Sequence, residues 1–189
     1  MKEVKKMYKV VALMGESGCG KDFAASAICV ARPNKFHKII MDTTRPPRER
    51  EQDGVDYNFL DLETFAGYVL DGTMLEATCF NENWYYGTNI NSLISDKINV
   101  AALNPLGLER LKENKNIQVV SIRIKTDPAF RLKKSLDRED NPNCHEICRR
   151  FLADEEMFKN FKADIEIWND YSYYSFIGKL VGKINKITW

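Results

Sequence analysis

The residues Gly15-Glu16-Ser17-Gly18-Cys19-Gly20-Lys21-Asp22 constrain this chain more than any other stretch. They follow the apolar run Val10-Val11-Ala12-Leu13-Met14 and precede Phe23 to Ala31, a segment of small and apolar residues that suits a helix. Strand, glycine-rich loop and helix in that order read as a phosphate loop. The glycines let the backbone curl with its N–H groups inward, the helix N-terminus adds positive potential, and Lys21 can reach the β- and γ-phosphates of a nucleotide. One position breaks the pattern: Asp22 stands where a Ser or Thr hydroxyl normally ligates Mg²⁺.

Strands and helices alternate along the rest of the chain. Phe36 to Met41 reads as a second short strand, after which Asp42 to Gly54 is polar, proline-bearing and dense in both charges, which excludes a core element. Its arginines, Arg45, Arg48 and Arg50, suit either a solvated loop or a phosphate-bearing ligand, because guanidinium forks grip phosphate in a bidentate way. Val55 to Leu60 alternates loosely like a strand, Asp61 is placed to cap a helix running to about Leu70, and Met74–Phe80 with Trp84–Thr88 form a candidate hairpin. Ile98 to Leu103 returns to the buried-strand pattern, Asn104 and Pro105 open a helix, and the β-rich run Ile117 to Ile124 reads as a central parallel strand. Helices are expected from Asp127 to Leu136, Ile147 to Phe161 and Tyr171 to Leu180, with a last strand from Ala163 to Trp168. This order implies an α/β layered core with a parallel sheet and helices on both faces.

With 189 residues, one domain with a substantial core suffices. The net charge of +1 does not point to duplex nucleic acid or an anionic membrane. No apolar run approaches the roughly 20 residues of a membrane helix, and Met1 to Lys6 lacks a signal-peptide core, so a cytoplasmic protein is expected. Five cysteines, an odd number, fit reduced thiols better than a disulfide framework. Cys144, His145 and Cys148 have no second Cys or His group nearby in sequence, which favours a thiol pair and a surface histidine over a zinc cluster.

The segment Thr43-Thr44-Arg45-Pro46-Pro47-Arg48, followed by Glu51, Asp53-Gly54 and Asp56-Tyr57-Asn58-Phe59, resembles the guanylate kinase family, as do Leu75-Glu76 and Tyr85-Tyr86-Gly87-Thr88. The resemblance is close from the phosphate loop through Thr88 and loose beyond it. It implies a phosphate-loop core (residues 1–40, 98–132 and 147–189), a small α+β nucleotide-monophosphate-binding insert (41–97) and a short lid (133–146). It further implies transfer of the γ-phosphoryl group of ATP to GMP or dGMP, with Mg²⁺ as cofactor, by a monomer or homodimer. Gly15, Ser17, Gly18, Cys19, Gly20, Lys21 and Asp22 would then hold ATP, with Asn169 beside the adenine. Arg45, Arg48, Glu51, Tyr57 and Tyr86 would surround the acceptor phosphate, and Glu76, Thr88 and Asn104 would face the base. A carboxylate that accepts from ring N1–H and the 2-amino group selects guanine over adenine, which lacks that donor pair. Lys21, Arg45, Arg138 and Arg150, the last interchangeable with Arg149 at this level, would neutralise charge on the transferring group; no general base is needed.

Four departures stand out. Met41 replaces a serine that touches guanine in the family, Asn104 and Ala102 replace acids, and Asp22 replaces the loop hydroxyl. Asp22 is the candidate metal ligand, supplying directly or through a metal-bound water the carboxylate missing at Ala102. Met41 and Asn104 leave open a deoxynucleotide kinase of broader base specificity. A non-catalytic interaction module is a further alternative, which the intact loop glycines and Lys21 disfavour.

Overall fold

The computed structural model describes residues 6–80, 83–137 and 142–189. A five-stranded, all-parallel sheet forms the core: β1 (Tyr8–Met14), β2 (Phe36–Lys38), β7 (Ile98–Ala102), β8 (Ile117–Lys125) and β9 (Ile165–Trp168), in the order β2-β7-β1-β8-β9. Because both faces of such a sheet are covered, its inner strands read as continuous apolar runs. Val11 and Leu13 of β1 pack under α1 (Lys21–Ala31) and α6 (Tyr173–Ile184), against Ile28, Phe176 and Leu180. Val10, Ala12 and Met14 point the other way, toward Leu108 and Leu111 of α3 (Pro105–Lys112) and Phe158 of α5 (Cys144–Phe158). Helices on both faces of a parallel sheet are the expected fold class.

A second, four-stranded mixed sheet is built from β3 (Met41–Thr43), β4 (Tyr57–Phe59), β5 (Met74–Phe80) and β6 (Trp84–Asn89), ordered β4-β3-β6-β5. Helix α2 (Leu62–Leu70) connects β4 to β5, and the Asp61 carboxylate caps it by accepting from Thr64 N at 2.7 Å. The apolar run from Phe36 to Met41 is therefore two strands in two sheets. Ile39 N–H still donates to Val100 O of the core at 2.9 Å, and two residues later Met41 has joined the second sheet beside Tyr57. Hydrophobicity is unbroken there because Ile39 and Met41 both bury their side chains in the apolar cluster beneath the core sheet.

Other boundaries shift for identifiable reasons. β8 is an inner strand, but β1 holds the middle of the sheet. Helix α5 begins at Cys144, three residues earlier than Ile147, because Asn143 caps it by accepting from Glu146 N. Helix α4 (Pro128–Leu136) starts one residue after the expected Asp127, whose carboxylate caps it by accepting from Ala129 N. The cysteines are free thiols, Cys144 and Cys148 exposed among them.

Candidate active site

The phosphate loop occupies the turn between β1 and α1, and three of its glycines have positive φ: Gly15 at 145°, Gly18 at 83° and Gly20 at 93°. The space is as restrictive as the torsions. A Cβ on Gly18 would lie 2.5 Å from Arg131 O of α4, and one on Gly15 would lie 2.7 Å from Ile124 O of β8. Cys19 is fully buried, and burial pushes its thiol above the ordinary range, so it packs and does not react. Asn169, just after β9, donates Nδ2–H to Cys19 O at 3.0 Å. The loop is thereby fastened from β8, α4 and β9 at once. A further tie comes from Glu16, whose carboxylate accepts from Arg123 Nη2 at 2.6 Å while the Arg123 guanidinium lies over the Phe158 ring.

A cavity of about 480 Å³ opens beside this loop. Gly15, Ser17, Lys21 and Asp22 line one side, and Arg45, Arg48, Glu51, Tyr57, Glu76 and Tyr86 of the second sheet and its loops line the other. Asn104 and Ala102 close the floor from the end of β7, and Arg150 and Asp154 reach in from α5. Of the arginine pair in α5, Arg150 therefore faces the cavity, whereas Arg149 lies on the exposed side and pairs with Glu146. Arg150 Nε donates to the same Glu146 at 2.6 Å, and the two arginines, Arg149 first, hold that carboxyl down at about 2. Gly18, Cys19 and Gly20 shape the loop without lining the cavity. Asn169 likewise acts on the loop backbone, and Arg138 lies outside the described residues.

The arginines are set before any anion arrives. Arg45 is buried, with Nη2 on both Glu51 oxygens at 2.9 and 2.8 Å, Nε donating to the Tyr86 hydroxyl at 3.1 Å and Nη1 donating to Pro46 O at 2.7 Å. Glu51 also accepts from the Arg48 backbone N–H at 2.9 Å and pairs with the Arg48 side chain at 3.5 Å. A carboxylate cannot donate to a phosphate, and the role the contacts give Glu51 is to aim both guanidiniums. Tyr57 packs edge-on against Tyr86, and burial first, then the Asp22 carboxylate, push its phenol upward, keeping it a hydrogen-bond donor.

Glu76 sits deep in the cavity wall. Its Oε1 accepts from the fully buried Thr88 hydroxyl at 2.8 Å, and burial raises its carboxyl to about 7 despite that bond. Asn104 has a structural duty as well as its place on the cavity: Oδ1 accepts from Gly107 N at 2.7 Å and so caps α3.

Sequence reasoning missed Asp154. Its Oδ2 accepts from the Ser17 backbone N–H at 2.6 Å, across 137 residues of chain. A carboxylate thus already holds one of the loop amides that a phosphate would use. No spacing rule connects α5 to the loop, so only the packing of α5 over the core reveals it. The Glu16–Arg123 tie was missed for the same reason.

Two measurements follow from this geometry. Asp154→Ala frees the Ser17 amide, and calorimetry is expected to show ATP binding about 5-fold more tightly, since the resident anion no longer competes; weaker binding would mean that Asp154 supports the loop instead. For Glu76, the native state holds a proton that the unfolded chain has released between pH 4.5 and about 7. The stability it contributes is therefore complete below pH 4.5 and lost as pH rises through about 7, an effect of at most roughly 3 kcal/mol. The melting temperature should fall with pH across this window more steeply in the native protein than in Glu76→Gln.

The protein-family model described as guanylate kinase matches residues 7–172. A guanylate kinase from Malacoplasma penetrans is 30% identical over 188 residues, covering 92% of this chain and 87% of the relative. One from Campylobacter jejuni strain RM1221 is 29% identical over 166 residues, covering 85% and 80%. The crystal structure of guanylate kinase from Anaplasma phagocytophilum superposes with a TM-score of 0.65 at 18% identity, over 96% of this chain and 86% of that one, which shows a shared fold. A phosphate loop facing an arginine- and tyrosine-lined second sheet, within a chain matched over most of its length, identifies this protein as a divergent member of the guanylate kinase family.

Proposed function

We propose that this protein phosphorylates GMP or dGMP with ATP by in-line transfer of the γ-phosphoryl group. The observation that carries this reading is one cavity with a phosphate-binding loop on one wall and Arg45, Arg48, Tyr86 and Glu76 on the other. Such an arrangement suits two nucleotides placed head to head. The second sheet would serve as the monophosphate-binding insert (41–97), and residues 133–146, which include Arg138, as the lid.

The chemistry asks for positioning and charge neutralisation, with no side-chain nucleophile. Lys21, at the start of α1, would offset charge on the transferring phosphoryl group, joined by Arg150 from α5. Arg45 and Arg48, already aimed by Glu51, would hold the acceptor phosphate with the Tyr57 and Tyr86 hydroxyls. Ionised Glu76 would accept from guanine N1–H and the 2-amino group. Its burial makes that ionisation costly in the empty site and lets the base's two donors repay it.

Mg²⁺, which takes oxygen ligands and is usually held by one or two carboxylates together with substrate phosphates, fits Asp22. Asp22 lines the cavity at the loop's end, whereas Ala102, at the end of the neighbouring strand β7, has no oxygen in its side chain. Bound there, the ion would neutralise phosphate charge. No helix among the described residues is long and apolar enough to cross a membrane, and ATP and the monophosphate are the partners this reading needs.

A coupled ADP-release assay over GMP, dGMP, AMP, CMP and dTMP tests the proposal. Preference for GMP or dGMP is expected, and preference for a base other than guanine would overturn it in favour of a kinase of altered specificity. Lys21→Met should lower turnover on the order of 100-fold or more. Asp22→Ala should raise the Mg²⁺ concentration needed for half-maximal rate; an unchanged rate with an unchanged Mg²⁺ requirement would remove Asp22 from the metal site.

A further inference from the structure

Asn104 poses a chemical question that the fold answers. A carboxylate presents acceptors whichever way it turns, but an asparagine amide presents an oxygen one way and an NH₂ group the other. Facing a guanine edge that carries two adjacent donors, the wrong orientation sets donor against donor.

Two contacts remove the ambiguity. Gly107 N–H, at the first turn of α3, donates to Asn104 Oδ1 at 2.7 Å, so the atom there must be the oxygen. The nitrogen is then directed to β5, where Asn104 Nδ2 donates to the Thr78 hydroxyl at 3.3 Å. Thr78 is nearly inaccessible to solvent and lines the same cavity as Glu76 and Asn104. Gly107 marks where the acceptors converge: a Cβ there would lie 3.1 Å from Glu76 Oε2 and 3.3 Å from Asn104 Oδ1. Two acceptor oxygens, one from β5 and one from the cap of α3, therefore flank a single spot on the cavity wall that a larger residue at Gly107 would crowd.

We infer that Thr78 is a positioning residue for base selection, pinning the Asn104 amide so that its oxygen stands beside Glu76 as an uncharged substitute for a second carboxylate. This rests on the guanine reading of the site above. Thr78 lies two residues beyond Glu76 on β5, on the same face of the strand, and a hydroxyl is the smallest group there that can accept from the amide. The second acceptor is best matched to the exocyclic amine of guanine, which distinguishes GMP from IMP, a nucleotide identical except for lacking that amine.

The test is a variant cycle read with GMP and IMP. Thr78→Val keeps the shape and removes the acceptor; KM for GMP is expected to rise about 10-fold while KM for ATP and kcat stay within about 2-fold, lowering the preference for GMP over IMP. Thr78→Ser should restore the native preference. In an Asn104→Asp background there is no amide to orient, so Thr78→Val should leave the GMP-to-IMP ratio within about 2-fold. An unchanged ratio in Thr78→Val, or an equal loss in the Asn104→Asp background, would overturn the inference. A urea-denaturation cycle of Thr78→Val, Asn104→Ala and the double variant reads the pin without any substrate, with a coupling of about 5-fold in the folding equilibrium expected between the two changes. Independent effects there would overturn the pin, whereas a native protein that ignores GMP while the coupling persists would overturn only the guanine reading.

Discussion

Everything in this site depends on a loop whose backbone curls without Cβ atoms at three positions and turns its amides toward an anion, one of them, Ser17 N–H, already meeting the Asp154 carboxylate. Gly15, Gly18 and Gly20 adopt torsions that other residues rarely tolerate, and the neighbouring carbonyls of β8 and α4 approach to distances that exclude a Cβ at the first two. The rest of the core can be understood as the clamp. β1 delivers the loop from the middle of the sheet, Asn169 fixes it from the end of β9, and Glu16 ties it to Arg123 on β8. Rigid support on several sides is what lets a short turn hold its amides converged against their mutual repulsion.

The opposite wall solves a different electrostatic problem. Arg45 and Arg48 carry like charges, and Glu51 offsets their repulsion by binding both. Arg45 is further walled by Tyr57 and Phe59, whose rings lie 5.5 and 5.7 Å from its guanidinium. The Arg45 guanidinium is therefore already ordered, which leaves little of its side-chain entropy to lose if an anion binds there. Glu76 is handled in the opposite sense. It is buried, and burial outweighs the Thr88 hydroxyl and backbone N–H and the charge of Arg110, so its ionised form gains from a ligand with matching donors. A positive wall made ready and a negative group left wanting together favour a ligand with a phosphate at one end and a donor-rich edge at the other.

Much of this was legible from the chain alone, for physical reasons that differ by element. The phosphate loop is local, since its glycines, lysine and flanking elements are contiguous and each has a torsional or electrostatic reason to be there. Caps at Asp61 and Asn104 were equally readable because a cap acts over three residues. The break between Phe36–Lys38 and Met41–Thr43 was not readable, because Ile39 and Met41 are as apolar as a continuous strand would be. The start of α5 was missed because Asn143 follows a polar connector and its capping role competes with that of a turn residue.

The sequence by itself determined the α/β class, the glycine-rich loop and many of the charged and aromatic residues that line the cavity beside it, because these rest on local torsions, periodicity and charge type. Only the tertiary structure decided what each group does once surrounded. It made Glu51 an aiming group, turned Arg150 inward and Arg149 outward, seated the Asp154 carboxylate on Ser17 N–H, and used Thr78 to orient the Asn104 amide. These outcomes depend on hydrogen bonds and burial between residues as many as 137 positions apart in the chain, where no local propensity acts and the direction of a side chain is set by what packs against it.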